Sequence, residues 1–155
     1  MHAQIRTRAE AAGFTESDGS LVILSLGAQD TDAICAAMGS TQPVDTIVSI
    51  LTLCSVPNTH QAIVGLLEKV LKPGGMLVYF EHVKNPREDV AWWQWFWNPV
   101  WGVVFGGCKM DVPTDVWVDE WKGWEEKSVV QAPFEEGEEE RLLTHRLGRY
   151  VKAKV

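Results

Sequence analysis

Apolar and polar positions alternate with two different spacings along the chain, and this pattern predicts an α/β fold. Residues 21–26 and 44–53 are short, nearly continuous apolar runs, which predict strands buried on both faces. Residues 59–71 carry apolar side chains at helical spacing, and residues 76–80 predict a third strand. Because helices separate these strands in the sequence, the order indicates right-handed βαβ crossovers and a parallel sheet.

The two ends of the chain complete the predicted architecture. Residues 1–13 predict a helix that ends at a glycine, and residues 92–101 form a tryptophan-rich helical segment. Residues 127–131 and 147–151 predict two final strands joined by an acidic loop. We therefore expect a single domain over residues 1–155, with a mostly parallel sheet of about five strands and flanking helices.

Composition and charge narrow the class of protein. The chain has 155 residues, of which 46% are hydrophobic, so it has enough apolar material for a core. Its formal net charge of −7 argues against a nucleic-acid-binding surface. Its three cysteines have no disulfide or zinc spacing, its four histidines are isolated, and no apolar signal segment opens the chain. We therefore expect a cytoplasmic protein with no metal site, no membrane span and no nucleic-acid partner.

Eight tryptophans are the unusual feature of the composition, and five of them fall between residues 92 and 101. At helical spacing the aromatic residues form two stripes. The favoured interpretation is that one stripe packs into the core and the other contacts a second chain. The alternative is that these aromatic residues form a lid over a flat, apolar substrate. Cys108 follows this segment, and we interpret its thiol first as structural. The substrate-binding candidates are then Trp92, Trp93, Phe96, Trp97, Trp101 and Cys108.

Glu81 and His82 are the candidate catalytic residues. They follow the third predicted strand, at the carboxyl end where α/β folds bind their ligands. His82 could act as a general acid or base near neutral pH, with Glu81 orienting it or binding a polar substrate group. The alternative is that one is a satisfied strand-end residue and the other faces solvent.

Four sequence blocks together resemble the small-molecule branch of class I (Rossmann-like) methyltransferases, which use S-adenosylmethionine (SAM). The similarity is to methyltransferase-domain proteins of fungi and bacteria related to thiol and O-methyltransferases. The blocks are residues 44–56, 66–83, 91–111 and 145–152. The third block departs from the family pattern at Gly106, where an aspartate is usual.

The resemblance implies a vestigial cofactor site. Gly27 and Asp30 match the adenine-contacting turn of the family, and Leu53 and Cys54 match the loop after its fourth strand. The glycine-rich loop and the ribose-binding acid of the family have no counterpart here, and the match begins just after that acid. We therefore expect no cofactor on the lone chain, with SAM bound only if a partner completes the site.

The resemblance also implies an unpaired sheet edge. The strand at residues 44–53 matches one that lies beside the first family strand, which has no counterpart in this sequence. Residues 21–26, a second copy of the chain or another protein could cover this edge. We favour a homodimer through the edge and the tryptophan-rich segment, with another methyltransferase chain as the alternative partner.

Three hypotheses on function follow. The favoured one is a methyltransferase-like protein of small-molecule metabolism, in a fungal secondary pathway, that acts without methyl transfer. It would be a cyclase or isomerase that binds a small apolar metabolite and holds it in one reactive conformation. The second is a SAM-dependent methyltransferase subunit or fragment completed by another chain. The third is a non-catalytic binding partner of an intact methyltransferase.

Overall fold

The structure is a computed structural model that describes residues 2–130 and 141–154. Two helices come first, strands and helical segments follow, and two strands lie near the C-terminal end. In order the elements are α1 (His2–Ala11), α2 (Thr31–Ala37), β1 (Val44–Ile50), a 3₁₀ turn (Leu53–Ser55), α3 (Thr59–Gly65), a π turn (Leu66–Val70), β2 (Leu71–Val83), α4 (Glu88–Val104), α5 (Thr114–Glu120), β3 (Trp124–Val130) and β4 (Thr144–Lys152).

The four described strands form one mixed sheet in the order β1–β2–β4–β3. β1 runs parallel to β2, which confirms the predicted βαβ unit, and the two C-terminal strands are also confirmed. β4 is antiparallel to both of its neighbours. The prediction of a mostly parallel sheet of about five strands is therefore wrong, because β3 and β4 enter as an antiparallel pair and one predicted strand does not form.

The strand that does not form is the apolar run at residues 21–26. Its side chains lie partly in solvent, with Val22 57% and Leu26 41% exposed. The N–H group of Leu21 donates to the carbonyl of Thr15 within the same connection. A strand needs a neighbour to pair its backbone groups, and β1 is the edge of the described sheet. Residues 21–26 therefore do not cover the β1 edge.

β2 is longer than the sequence pattern predicts. It includes residues 72–75, which form a bulge where the β1–β2 ladder passes from Val44 opposite Leu71 to Thr46 opposite Met76. Gly74 adopts a left-handed φ of +74° in this bulge. Because the strand then continues to Val83, Glu81 and His82 lie inside it rather than past its end.

One face of the sheet carries the core and packs against α3 and α5. Tyr79 of β2 and Tyr150 of β4 stack there with ring centroids 6.0 Å apart. The ammonium group of Lys152 reaches the same layer and donates to the backbone carbonyls of Leu67, in the π turn, and Leu71, just after it, at 2.7 and 2.8 Å. The buried apolar cluster consists of Leu53, Ile63, Leu67, Leu71, Leu77, Tyr79, Val118 and Tyr150.

The opposite face of the sheet is more open. Successive residues of β2 alternate between the two faces, so Val78, Phe80 and His82 point away from the core and are half-buried. On the neighbouring edge strand, Val48 is 62% and Ile50 is 61% exposed. Parallel strands usually have both faces covered. Within the described residues, this apolar face and the edge of β1 therefore remain accessible.

Helix α4 is attached to the sheet by polar contacts. Gln94 is fully buried, and its side-chain oxygen accepts from the N–H group of Asn85 at 2.8 Å. Its amide nitrogen donates to the carbonyls of Val83 and Leu142 at 3.2 and 2.9 Å. The expectation that one aromatic stripe packs into the core is therefore wrong, since the buried residues of the helix are Val90 and Gln94. The exposed fractions of Trp92, Trp93, Trp95, Phe96 and Trp97 are 51, 49, 62, 48 and 44%.

Other expectations from the sequence pattern have separate outcomes. The first helix is confirmed as His2–Ala11, and Gly13 beyond it adopts the expected left-handed conformation with φ of +86°. The acidic run at residues 135–140 lies outside the described residues. Among the described helices, none combines the length and apolar character required to cross a bilayer.

Replacing Gln94 with leucine tests the attachment of α4. The substitution keeps the side-chain size but removes three buried hydrogen bonds, so we expect the free energy of unfolding to fall by about 1–3 kcal/mol. Urea titration followed by tryptophan fluorescence measures the change. Gln61→Leu, on the exposed side of α3, is the matched control and should stay within about 0.5 kcal/mol. Equal stability of Gln94→Leu and the wild-type protein would contradict the assignment.

Candidate functional site

A buried carboxylate organises the turn that follows β1. Glu81 is completely inaccessible to solvent, and it accepts hydrogen bonds from the hydroxyl of Ser49 at 2.7 Å and the N–H of Leu53 at 3.1 Å. The N–H of Thr52 points between its two oxygens, at 3.0 and 2.9 Å. Leu51 adopts a left-handed φ of +49°, which a bulky residue does only when its surroundings hold it there. The carboxylate therefore fixes how the chain leaves β1.

Glu81 and His82 point to opposite faces of the sheet, because they are neighbours in one β-strand. Glu81 therefore does not orient His82, contrary to the expectation from their adjacency. Both oxygens of Glu81 accept hydrogen bonds from the end of β1 and the turn after it. Glu81 therefore positions that turn. Its catalytic role and that of His82 stay predictions.

Three potential ligand side chains meet where β1 and β2 end. The sulfurs of Cys54 and Cys108 lie 3.0 Å apart, and Nδ1 of His82 lies 3.4 Å from the sulfur of Cys108. All three donor atoms lie within 4.8 Å of one another. The N–H of Lys109 donates to the carbonyl of Cys54 at 3.1 Å, which joins the two cysteine-bearing loops. Both cysteines are buried and His82 is half-buried.

Aromatic rings enclose this cluster on the side of His82. The ring centroids of Trp101 and His145 lie 6.4 and 4.4 Å from that of His82. Trp101 also stacks on Phe105 at a centroid distance of 3.9 Å. The indole N–H of Trp101 is buried and has no hydrogen-bond acceptor among the described residues. This side of the cluster therefore combines apolar aromatic surface with one hydrogen-bond donor, the indole N–H of Trp101.

Burial favours the uncharged forms of Cys54 and His82. Removal from water, together with the hydrogen bond to Cys108, raises the pKa of the Cys54 thiol to about 12. Burial and the neighbouring His145 lower the pKa of His82 from its ordinary value. At neutral pH the Cys54 thiol and the His82 imidazole are therefore both uncharged.

The predicted substrate-binding aromatic residues do not gather in one pocket. Phe96, with Trp95, lines an open groove of about 610 Å³ between α4 and the loop after it. Trp92 lines a second groove, of about 560 Å³, near the N-terminal end of α4. Trp93 and Trp97 line neither groove and are about half exposed. Trp95 was not among the substrate-binding residues predicted from the sequence.

The predicted cofactor residues lie in two separate turns. The N–H of Gly27 donates to the carboxylate of Asp30 at 2.9 Å, and the N–H of Asp30 donates back to the carbonyl of Gly27 at 3.0 Å. Asp30 is exposed at the start of α2. Leu53 and Cys54 are only 4% and 2% exposed, so a ligand would meet mainly their backbone. That these four residues contact the adenine end of SAM stays a prediction.

Part of the chain is similar to three thiol S-methyltransferases. It is 36% identical over 77 residues to TMT1B of Rattus norvegicus, 37% over 71 residues to TMT1A of Homo sapiens and 36% over 66 residues to human TMT1B. These matches cover 49, 43 and 42% of the chain but only 30, 28 and 27% of the relatives. The chain therefore has partial homologues among class I SAM-dependent methyltransferases, and its α/β fold is compatible with them. No protein-family model matches it.

Sequence spacing did not reveal the cluster of Cys54, His82 and Cys108. Each residue was a candidate for a different role, in cofactor binding, catalysis and substrate binding respectively. The expectation of no metal site rested on ligand spacing, which does not detect donors that come from three separate segments. The βαβ topology could have placed Cys54 near His82, since adjacent parallel strands end at the same sheet edge. No pattern in the sequence places Cys108 beside them.

Replacing Glu81 with glutamine tests how the turn after β1 is held. The amide keeps the size of the side chain but presents one oxygen where two now accept backbone N–H groups. We expect a loss of about 1–3 kcal/mol in the free energy of unfolding, from buried donors left without an acceptor. Urea titration measures it, with Glu68→Gln on an exposed position as the control. If the two variants are equally stable, the carboxylate does not hold the turn.

Proposed function

We propose that this chain is the acceptor-binding part of a SAM-dependent methyltransferase that acts on small apolar thiols. The observation that carries the proposal is the similarity to three relatives, all of them thiol S-methyltransferases. It favours methyl transfer over the cyclase or isomerase activity expected from the sequence, for which no structural feature gives independent support. The cyclase or isomerase function stays a prediction.

The open groove beside α4 supports an apolar acceptor. Trp95, Phe96 and Val103 supply apolar surface, and the lining carries one cationic and one anionic side chain, Lys109 and Asp111. Methyl transfer to sulfur needs a thiolate, and a nearby ammonium group favours that charged form. Gly107 and Lys109 both line the groove, and Cys108 lies between them in sequence. The groove is therefore lined by both sequence neighbours of one cluster residue, while Cys108 itself is buried.

SAM requires more contacts than the four predicted cofactor residues offer. When bound, SAM supplies an electrophilic methyl group, and the residues of this chain bind the thiol and exclude water from it. Gly27 and Asp30, with the backbone at Leu53 and Cys54, would contact the adenine end. In this proposal another polypeptide segment supplies the remaining contacts by pairing with the edge of β1. A homodimer through the same edge stays a prediction.

Binding of a thiol to the purified chain tests the acceptor site. We expect 2-phenylethanethiol to quench tryptophan fluorescence at lower concentration than 2-phenylethanol, because the groove is apolar and Lys109 favours the thiolate. Lys109→Gln should weaken thiol binding roughly two- to five-fold, as expected for an exposed charge pair worth up to about 1 kcal/mol. The control Lys122→Gln should bind like the wild-type protein. Equal affinity for the thiol and the alcohol would argue against a thiol acceptor.

Transfer of a labelled methyl group tests the reaction. Tagged chain recovered under mild conditions from its own source should convert labelled SAM and the thiol into the thioether. The isolated recombinant chain should give no product, because it lacks the segment that completes the cofactor site. Absence of thioether from the recovered material would contradict methyl transfer. Product from the isolated chain would contradict the need for a second segment.

A further inference from the structure

We propose that Cys54, His82 and Cys108 bind one zinc ion and leave a fourth coordination position open. The donors are two sulfurs and one imidazole nitrogen, all within 4.8 Å of one another. Two cysteines and one histidine are a ligand set found in catalytic zinc sites, where the fourth position binds water or substrate. A structural site would need a fourth protein ligand, and the three-donor cluster therefore favours an open site.

The distances between the donors are close to those that a tetrahedral ion requires. With Zn–S near 2.3 Å and Zn–N near 2.0 Å, tetrahedral angles separate sulfur from nitrogen by about 3.5 Å and two sulfurs by about 3.8 Å. The distance from Nδ1 of His82 to the sulfur of Cys108 is 3.4 Å, and the sulfurs of Cys54 and Cys108 lie 3.0 Å apart. Zinc binding would move the sulfurs apart by about 0.8 Å to reach that geometry. A rotation of one cysteine side chain provides such a shift.

The three ligands are held by the surrounding fold. Glu81 fixes the backbone of Leu53, next to Cys54. The N–H of Lys109, next to Cys108, donates to the carbonyl of Cys54. His82 lies in β2, where it is paired with His145 across the ladder to β4. Because the backbone near each ligand is already fixed, zinc binding needs little further ordering of the chain.

The open position suits the thiol of the acceptor, and this part of the inference rests on the proposed function. A thiol that coordinates zinc loses its proton, which passes to solvent as the zinc–sulfur bond forms. The bound thiolate would keep a lone pair for attack on the methyl carbon of SAM, whose bond to the sulfonium sulfur would break and leave that sulfur as a neutral thioether. The groove is lined by Gly107 and Lys109, the two residues that flank the ligand Cys108 in sequence.

Zinc stoichiometry tests the site directly. Reduced, metal-free protein is titrated with Zn²⁺ against a chelator of known affinity, and bound zinc is counted by mass spectrometry. We expect one equivalent per chain. Loss of a residue that only hydrogen-bonds to a metal ligand costs roughly 10- to 100-fold in metal affinity. Cys54→Ser, Cys108→Ser and His82→Asn remove a ligand itself, so each should weaken zinc binding by more than this. Cys35→Ser is the matched control, because the Cys35 thiol donates to the carbonyl of Lys69 elsewhere in the fold.

A second measurement uses the wild-type protein, so it does not depend on the folding of variants. Bound zinc should slow alkylation of Cys54 and Cys108 at least tenfold while leaving Cys35 unchanged, as measured by peptide mass spectrometry. Absence of stoichiometric zinc, protection of Cys35 instead, or a Cys54–Cys108 disulfide that persists under reducing conditions would overturn the site. Neither measurement uses SAM or an acceptor. Failure to bind zinc is therefore distinguishable from failure of the thiol-binding proposal.

Discussion

The rest of the site depends on the buried carboxylate of Glu81. A buried carboxylate is costly unless it is hydrogen-bonded, and this one takes its donors from Ser49 at the end of β1 and from Thr52 and Leu53 in the following turn. The left-handed conformation of Leu51 directs that turn around the end of the sheet. Cys54 is thereby placed beside Cys108, which in turn lies beside His82 on the face opposite Glu81.

Much of the framework could be predicted from the sequence, but the way its parts meet could not. The apolar run at the start of β1 and the helical spacing after it specify a parallel βαβ unit, and that unit forms. The run at residues 21–26 has the same composition as a buried strand. It stays unpaired in the described structure. Composition alone could not predict this outcome, because it does not specify which sheet edge, if any, a segment will join. Cys108 could not be assigned to the cluster because a long helix separates it from β2.

Helix α4 shows a second limit of pattern analysis. Its aromatic residues dominate any hydrophobicity plot, yet Gln94 is the residue that attaches it to the sheet. Near its other end, the side-chain oxygen of Asn98 accepts from the N–H of Met110 at 2.8 Å. These polar contacts fix the helix relative to the loop that carries Cys108. The aromatic surface is therefore left free to line grooves and to meet other molecules.

Amide hydrogen exchange at Thr52 and Leu53 tests the central role of Glu81 most directly. These amides lie at the junction of strand and 3₁₀ turn, and their acceptor is the carboxylate. NMR should show slow exchange at both in the wild-type protein and fast exchange at both in Glu81→Gln, while amides in the β1–β2 ladder stay protected. Fast exchange at Thr52 and Leu53 in the wild-type protein, or equal protection in the variant, would contradict the account.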